Sequence, residues 1–97
     1  MHAAVVRYDL HVPQSRSLKA RRAAVRPITH GLRKRFNVSV AEVDGQGTWQ
    51  RAGVAVAVVA SSAAHLQDVL DEVDRFVWSH PEVEVLSTDR RWVDVEA

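Results

Sequence analysis

The sequence predicts a small α+β sandwich, in which a four-stranded antiparallel sheet carries two helices on one face. Two observations lead to this fold. Segments with the two-residue period of strands and segments with the helical spacing of apolar residues follow one another in the order β-α-β-β-α-β. The chain has 97 residues, of which 46% are hydrophobic and 26% charged, enough for one domain with one core and too few for two.

The first strand is predicted over residues 4–12, where apolar side chains occupy every second position. Pro13 ends this strand, because proline cannot donate to a strand ladder. Ser15 or Ser17 is the candidate N-cap of the helix that follows, since a serine hydroxyl accepts a hydrogen bond from the first turn. The sequence therefore predicts a strand, a short loop and a capped helix.

Helix one is predicted from residue 18 to residue 36. Its apolar positions recur at helical spacing and are Leu18, Val25, Ile28, Leu32 and Phe36. Pro27 lies inside this segment and cannot donate a hydrogen bond to the Ala23 carbonyl. We therefore expect a kink or a break near Pro27.

The middle of the sequence predicts a β-hairpin. Residues 37–44 form a run rich in β-branched residues with three valines, and Asp44-Gly45-Gln46-Gly47 has the composition of a turn. Residues 49–60 are almost wholly apolar and predict the third strand. Gly45 and Gly47 are also compatible with a phosphate loop, but no Gly-Lys-Ser/Thr sequence follows them, so the hairpin turn is the preferred interpretation.

Helix two is predicted after Ser61 and Ser62, either of which is a candidate cap. Its amphipathic pattern is clear, with acidic residues opposite the apolar positions Leu66, Val69, Leu70, Val73, Phe76 and Val77. His80-Pro81 ends the helix, and residues 82–96 predict a last strand with a bulge near Ser87-Thr88-Asp89.

This order of elements is a doubled β-α-β unit, which predicts the ferredoxin-like fold. Right-handed crossovers place strands one and three in the middle of the sheet and both helices on the same face. The residues expected to form the core are Val6, Leu10, Leu18, Val25, Ile28, Leu32, Val54, Val56, Val58, Leu66, Val69, Leu70, Val73 and Phe76.

Charge divides the chain into two halves. Residues 1–51 hold ten of the 13 cations and three of the 12 acids, a formal charge of +7. Residues 52–97 hold three cations and nine acids, a formal charge of −6. The net charge of +1 therefore conceals a strongly dipolar molecule whose basic pole is mostly helix one.

Basic helices commonly bind the phosphates of nucleic acids, so the sequence predicts a nucleic-acid-binding surface on helix one. Lys19, Arg22, Arg26 and Arg33 are spaced to form one stripe on helix one. The alternative is a solvated face that is balanced by the acidic helix two. The full set of candidate nucleic-acid-binding residues is Arg16, Lys19, Arg21, Arg22, Arg26, Arg33, Lys34, Arg35 and Arg51.

The three tryptophans do not follow the pattern of a base-stacking sheet. Trp49 opens strand three, Trp78 lies on helix two and Trp92 lies on the last strand. An RNA-recognition motif places neighbouring aromatic residues on its central strands, whereas strand three of this chain reads Ala-Gly-Val-Ala-Val-Ala-Val-Val. Stacking of bases on the sheet face is therefore not expected.

No catalytic or metal-binding pattern is recognisable. The chain has no cysteine, and its five histidines lack metal-ligand spacing, so we predict no metal and no cofactor. Asp9 and His11 point the same way from strand one, with Arg7 next in line, and can form a pair. A structural ion pair is the preferred interpretation of these residues, and an acid–base dyad is the alternative.

Two further features concern location and association. The first residues lack the pattern of a signal peptide or a membrane span, which favours a cytoplasmic protein without a membrane partner.

Gly53, Ala55, Ala57 and Val59 are expected on the sheet face away from the helices. A small apolar patch at that place predicts a homo-oligomer, most simply a dimer, that associates through the sheet.

Two blocks of sequence resemble the bacterial YlxP-like family of unknown function. The first runs from His11 to Arg22 and the second from Arg35 to Arg51. The resemblance implies a ferredoxin-like fold and a gene context of translation and ribosome maturation, but no activity, cofactor or catalytic residue. Pro27 and the Gly45/Gly47 pair depart locally from the pattern. The matching residues are Pro13, Ser15, Ser17, Leu18, Lys19, Arg22, Phe36, Asn37, Ser39, Glu42, Asp44, Gln46, Trp49, Gln50 and Arg51.

Together these observations predict a non-enzymatic cytoplasmic module that binds RNA or a ribosome-assembly particle through helix one. The alternative is a homodimeric protein-interaction or regulatory module that binds no nucleic acid. The sequence does not decide whether helix one brings the two signature blocks together or holds them at opposite ends of the sheet.

Overall fold

A computed structural model describes residues 1–43 and 48–94. The turn predicted at residues 44–47, with the signature residues Asp44 and Gln46, lies outside this range, as does the end of the predicted last strand. The elements are β1 (His2–His11), α1 (Leu18–Arg35), β2 (Ser39–Val43), β3 (Arg51–Ala60), α2 (Ala63–Trp78) and β4 (Glu84–Asp94). Neither helix is long and apolar enough to cross a membrane.

The four strands form one antiparallel sheet in the order β2-β3-β1-β4, which confirms the predicted fold. β1 and β3 occupy the centre, as expected from right-handed crossovers. Alternate residues of both strands are buried beneath the two helices, because successive side chains of a strand point to opposite faces. The buried strand residues are Ala4, Val6, Tyr8, Leu10, Ala52, Val54, Val56, Val58 and Ala60.

The predicted core is confirmed except at three helix positions. Leu18 is 46% exposed, so its assignment to the core was wrong. It lies seven residues before Val25, the first buried residue of α1, and the opening turns of this helix bury no side chain. Val69 and Phe76 are only half-buried and pack at the margin of the core.

The break expected at Pro27 is absent, because α1 runs through this residue as one helix of 18 residues. A proline inside a helix costs about 3 kcal/mol. Val25, Ile28 and Leu32 are each no more than 1% exposed, and burying such a side chain contributes about 1.5–3 kcal/mol. Packing on both sides of Pro27 therefore outweighs the lost hydrogen bond.

The β1–β4 ladder contains the predicted bulge. Asp9 pairs with Ser87 and Leu10 pairs with Val85, so Leu86 is the extra residue. The bulge lies one residue before the predicted segment. β4 is also the least covered strand, since only Val85 of its 11 residues is even half-buried.

The sheet face away from the helices differs in part from the expectation. Gly53 is buried there, because the Val43 side chain and the Arg7 guanidinium lie over it. An exposed apolar patch does exist nearer the other end of the sheet, where Val5, Val59 and Val93 are 45%, 64% and 51% exposed. The patch therefore keeps the exposed Ala57 and Val59 of the predicted strand and extends to Val5 and Val93 on the two strands beyond it.

Candidate nucleic-acid interface

The start of α1 is fixed by the two serines proposed as caps. Ser17 is the N-cap, and its hydroxyl accepts a hydrogen bond from the Ala20 amide at 3.0 Å. Ser15 is 3% exposed and donates its hydroxyl to the Ser17 carbonyl at 3.0 Å. The Ser15 side chain therefore orients the cap that begins the helix.

The two signature blocks meet at this end of α1. The Nη1 atom of Arg21 donates to the carbonyls of both Thr48 and Arg51, each at 3.1 Å. The Val12 amide also donates to the Gln50 carbonyl at 2.8 Å. The loop before α1 and the segment that opens β3 are therefore tied to each other and to the helix.

A basic groove runs between α1 and the edge strand β2. It has a volume of about 280 Å³ and is lined by Arg22, Arg26, Thr29, His30, Arg33 and Glu42. Lys19 extends the basic surface toward the start of the helix, where it lines a neighbouring hollow with Arg22 and Arg26. The structure thus brings together the four cations of the predicted stripe on one face of α1.

The groove also contains residues that the sequence analysis did not select as binding residues. His30 follows Arg26 by four residues and precedes Arg33 by three, so helical spacing alone places it on the same face. Thr29 is 4% exposed, and its hydroxyl donates to the Arg26 carbonyl at 3.2 Å. Glu42 appeared only as a signature residue, because its approach to α1 depends on the packing of β2.

The remaining candidate cations have other surroundings. Arg35 lies over the Phe76 ring, with its guanidinium carbon 4.9 Å from the ring centre, and so faces α2. Arg51 donates to Asp9 at 2.8 Å and lies on the other face of the sheet. Lys34 and Arg16 are exposed outside the groove, and Arg21 is engaged with backbone carbonyls. The groove therefore holds only part of the predicted set.

In the part of the chain that the structure describes, no salt bridge joins the cations of the groove to the acidic helix. Among residues 1–43 and 48–94, the salt bridges join His2 to Asp94, His11 to Glu84, Arg51 to Asp9 and Arg91 to Asp89. None of these pairs connects α1 to α2. A solvated basic face that the charge of α2 balances without direct pairs therefore stays the alternative.

Asp9 and His11 do not pair with each other, so both the expected ion pair between them and the alternative dyad were wrong. The Asp9 Oδ2 atom accepts from Arg51, while His11 lies 3.6 Å from Glu84 across the sheet. The side chains of Asp9 and Arg51 are 21% and 33% exposed, so this ion pair is partly buried. Arg51 is 42 residues from Asp9 in the sequence. The β1–β3 register brings the two residues close together, because Arg51 lies opposite His11, the second residue after Asp9.

Comparison with known proteins gives the fold and a family of unknown function. Residues 3–90 match the model of a family described as protein of unknown function, DUF503. Uncharacterized protein YlxP of Bacillus subtilis (strain 168) is 38% identical over 76 residues, which cover 78% of this chain and 83% of that protein.

Two solved structures share the architecture at low identity. SnoaB, a cofactor-independent oxygenase from Streptomyces nogalater, is 2% identical with a TM-score of 0.58, covering 100% of this chain and 96% of that one. The de novo designed protein Foldit4 is 11% identical with a TM-score of 0.57, covering 99% of this chain and 100% of that one. Identities this low show a common fold only.

Proposed function

The chain belongs to the DUF503 family of proteins of unknown function, and we propose that it is a non-enzymatic module that binds structured RNA or an RNA-containing ribosome-assembly intermediate. The observation that supports this proposal most is the groove between α1 and β2. Three arginines and a histidine converge there, and no salt bridge joins them to an acid in the described part of the chain.

Arginine is well suited to this task. Its guanidinium presents several donors in a fixed plane and binds phosphate oxygens through two parallel hydrogen bonds. Lys19 and Arg33 are separated by 14 residues on a continuous helix, which corresponds to about 21 Å at the usual helical rise. The stripe is therefore long enough to contact several successive phosphates rather than a single anion.

Glu42 lowers the positive charge of the groove. Its carboxylate lines the same cavity as Arg22, Arg26 and Arg33 and therefore opposes an incoming phosphate. We expect Glu42→Gln to tighten RNA binding by about threefold, since an exposed charge interaction contributes roughly 0.2–1 kcal/mol. A filter-binding titration of the variant against the parent measures this change.

The central test reverses three charges of the stripe. In the variant Lys19→Glu, Arg22→Glu, Arg26→Glu, we expect filter binding of ribosomal RNA to be lost at moderate salt. The parent should show binding that weakens steeply with salt, with a slope that falls by about one for each phosphate contact removed.

The matched control carries the same change in net charge elsewhere. Arg75, Arg90 and Arg91 are exposed cations on α2 and β4, away from the groove. Reversing these three should leave most of the binding intact. Equal losses in both variants would mean that only net charge matters, and a parent without salt-dependent binding would contradict the RNA proposal itself.

A homodimeric interaction module is the second candidate, and the apolar patch on the sheet favours it. Ala3 lies opposite both Val59 and Val93, so these residues form one row across three strands. Exposed valines on adjacent strands are typical of an interface. We expect light scattering at micromolar concentration to report a dimer, and Val59→Lys with Val93→Lys to give a monomer. A monomeric parent would remove this candidate.

A further inference from the structure

Trp49 combines a solvent-exposed aromatic side chain with a backbone that is fixed by hydrogen bonds on both sides. The side chain is 56% exposed, although the carbonyls of the residues before and after Trp49 both accept hydrogen bonds. Arg21 binds the carbonyl of Thr48 immediately before it, and Val12 donates to the carbonyl of Gln50 immediately after it. The position of the Trp49 backbone is therefore set by α1 and by the loop that precedes it.

The same contacts tie the segment that contains Trp49 to the first turns of α1, where the basic stripe begins. Arg21, which holds the segment, is adjacent in sequence to Arg22, and Arg22 lines the groove. Lys19 lies on the same first turns of α1. The backbone on both sides of Trp49 is thus tied to the end of α1 at which the cations of the stripe begin, and the indole is exposed there.

The other two tryptophans lie in different surroundings. Trp78 is 59% exposed at the end of α2, the helix that carries four acids. Trp92 is 38% exposed on β4, and its indole donates to Asp94 at 3.3 Å. Among the tryptophans, only Trp49 combines exposure with an attachment to the basic helix.

We propose that Trp49 stacks on an unpaired base of the RNA whose phosphates lie along the α1 stripe. This inference rests on the proposed function and specifies its substrate as RNA with a single-stranded nucleotide at that end of the groove. Bases inside a duplex are stacked on one another and offer no free face, whereas an unpaired base offers one to an aromatic ring. The cations then provide affinity for the backbone, and the indole selects single-stranded RNA.

The experiment uses the fluorescence of Trp49 and two RNA probes. A protein with Trp78→Phe and Trp92→Phe retains Trp49 as its single tryptophan, since the chain has three. We expect oligoadenylate to quench this fluorescence strongly and an adenine–uracil duplex of equal length to quench it weakly.

Binding measurements on the intact chain complete the test. Trp49→Ala should weaken oligoadenylate binding by about tenfold without changing the salt slope, because base stacking adds no phosphate contact. Trp49→Phe should restore most of the affinity. The matched control Trp78→Ala removes an equally exposed tryptophan and should change nothing.

The two proposals fail differently. If the parent binds oligoadenylate in a salt-dependent way but Trp49→Ala and Trp78→Ala behave alike, the stacking inference is wrong and the groove remains the binding site. If Trp49→Ala lowers the salt slope as well, Trp49 acts by supporting the cations and the stacking role is again wrong. If the parent retains ribosomal RNA but binds neither probe, the stacking inference is wrong and the proposed function stands. If it binds neither probe and no ribosomal RNA, both proposals are overturned.

Discussion

The two helices are built alike but use their surfaces differently. Each begins at a serine N-cap and each buries four residues. In α2 these are Leu66, Leu70, Val73 and Val77, which span almost the whole helix. In α1 they are Val25, Ile28, Thr29 and Leu32, so none of the first seven residues is fully buried, although Ala24 packs at the margin of the core. The acidic helix therefore packs on the core along almost its whole length, whereas the opening turns of the basic helix are largely exposed.

The largest expected difference between the helices is in the free energy of unfolding lost when one leucine of each is replaced by alanine. Leu70 of α2 is fully buried, and Leu70→Ala should lower the free energy of unfolding by about 2–5 kcal/mol through the cavity it leaves. Leu18 of α1 is 46% exposed, and Leu18→Ala should cost about 0.5 kcal/mol or less. Urea unfolding of both variants measures this, and similar losses would mean that the opening turns of α1 are packed after all.

The point where the helices meet gives the next effect. A Cβ atom on Gly31 would lie 2.9 Å from Cε2 of Phe76, too close for the ring to stay in place. Gly31→Ala should therefore lower the free energy of unfolding by about 1–2 kcal/mol, since overpacking outweighs the better helix propensity of alanine. In the double variant with Phe76→Leu, the cost of Gly31→Ala should shrink. A strictly additive double variant would contradict this contact.

Tyr8 joins the sheet to α2 and gives a smaller, pH-dependent effect. Its hydroxyl donates to Asp74 Oδ1 at 3.2 Å, and burial, together with the Asp74 carboxylate, raises the pKa of Tyr8 above its ordinary value of 10.0. The stability linked to this shift is complete below pH 10 and declines above it, because the unfolded chain loses the proton first.

Tyr8→Phe should lower the free energy of unfolding by about 1 kcal/mol at neutral pH and remove most of the decline above pH 10. Tyr8 is the single tyrosine of the chain, so its phenolate absorbance titrates without overlap from another tyrosine. A midpoint at the ordinary pKa would contradict the buried hydrogen bond to Asp74.

The two N-caps give the smallest and most local comparison. Ser62 accepts from the His65 amide at 3.2 Å one residue before the buried Leu66, so Ser62→Ala should lower the free energy of unfolding by about 1 kcal/mol. Ser17→Ala should cost about half as much, because the turns it caps bury nothing and can fray alone. Hydrogen exchange should then accelerate at residues 20–24 only. Acceleration throughout α1 would show that the helix unfolds as one unit.

The architecture was readable from the sequence because it depends on local periods. Apolar spacing alone located both helices and the central strands, and Val54, Val56 and Val58 face the core as predicted. Leu18 was misplaced because its spacing continues the apolar stripe, while its burial depends on how far the sheet extends beneath α1. Spacing records the direction of a side chain and not what lies opposite it.

The candidate site was readable only along one element. The stripe of Lys19, Arg22, Arg26 and Arg33 follows from helical spacing, and its presence on one face is confirmed by the groove. The Glu42 wall of the groove and the Arg51 partner of Asp9 come from other elements, and their positions depend on strand register. The attachment of Trp49 to Arg21 has no signal in the sequence, because it passes through backbone carbonyls.

The pairing of β1 with β4 determines when the fold can form. His2 lies opposite Asp94 in this ladder, and their side chains meet at 2.7 Å, so the sheet joins positions 92 residues apart. Closing so long a loop costs conformational entropy before any contact is gained, which slows folding relative to a helical bundle of the same size. During synthesis β1 must wait for both of its neighbours, and the native sheet is complete only once residue 94 has left the ribosomal exit tunnel.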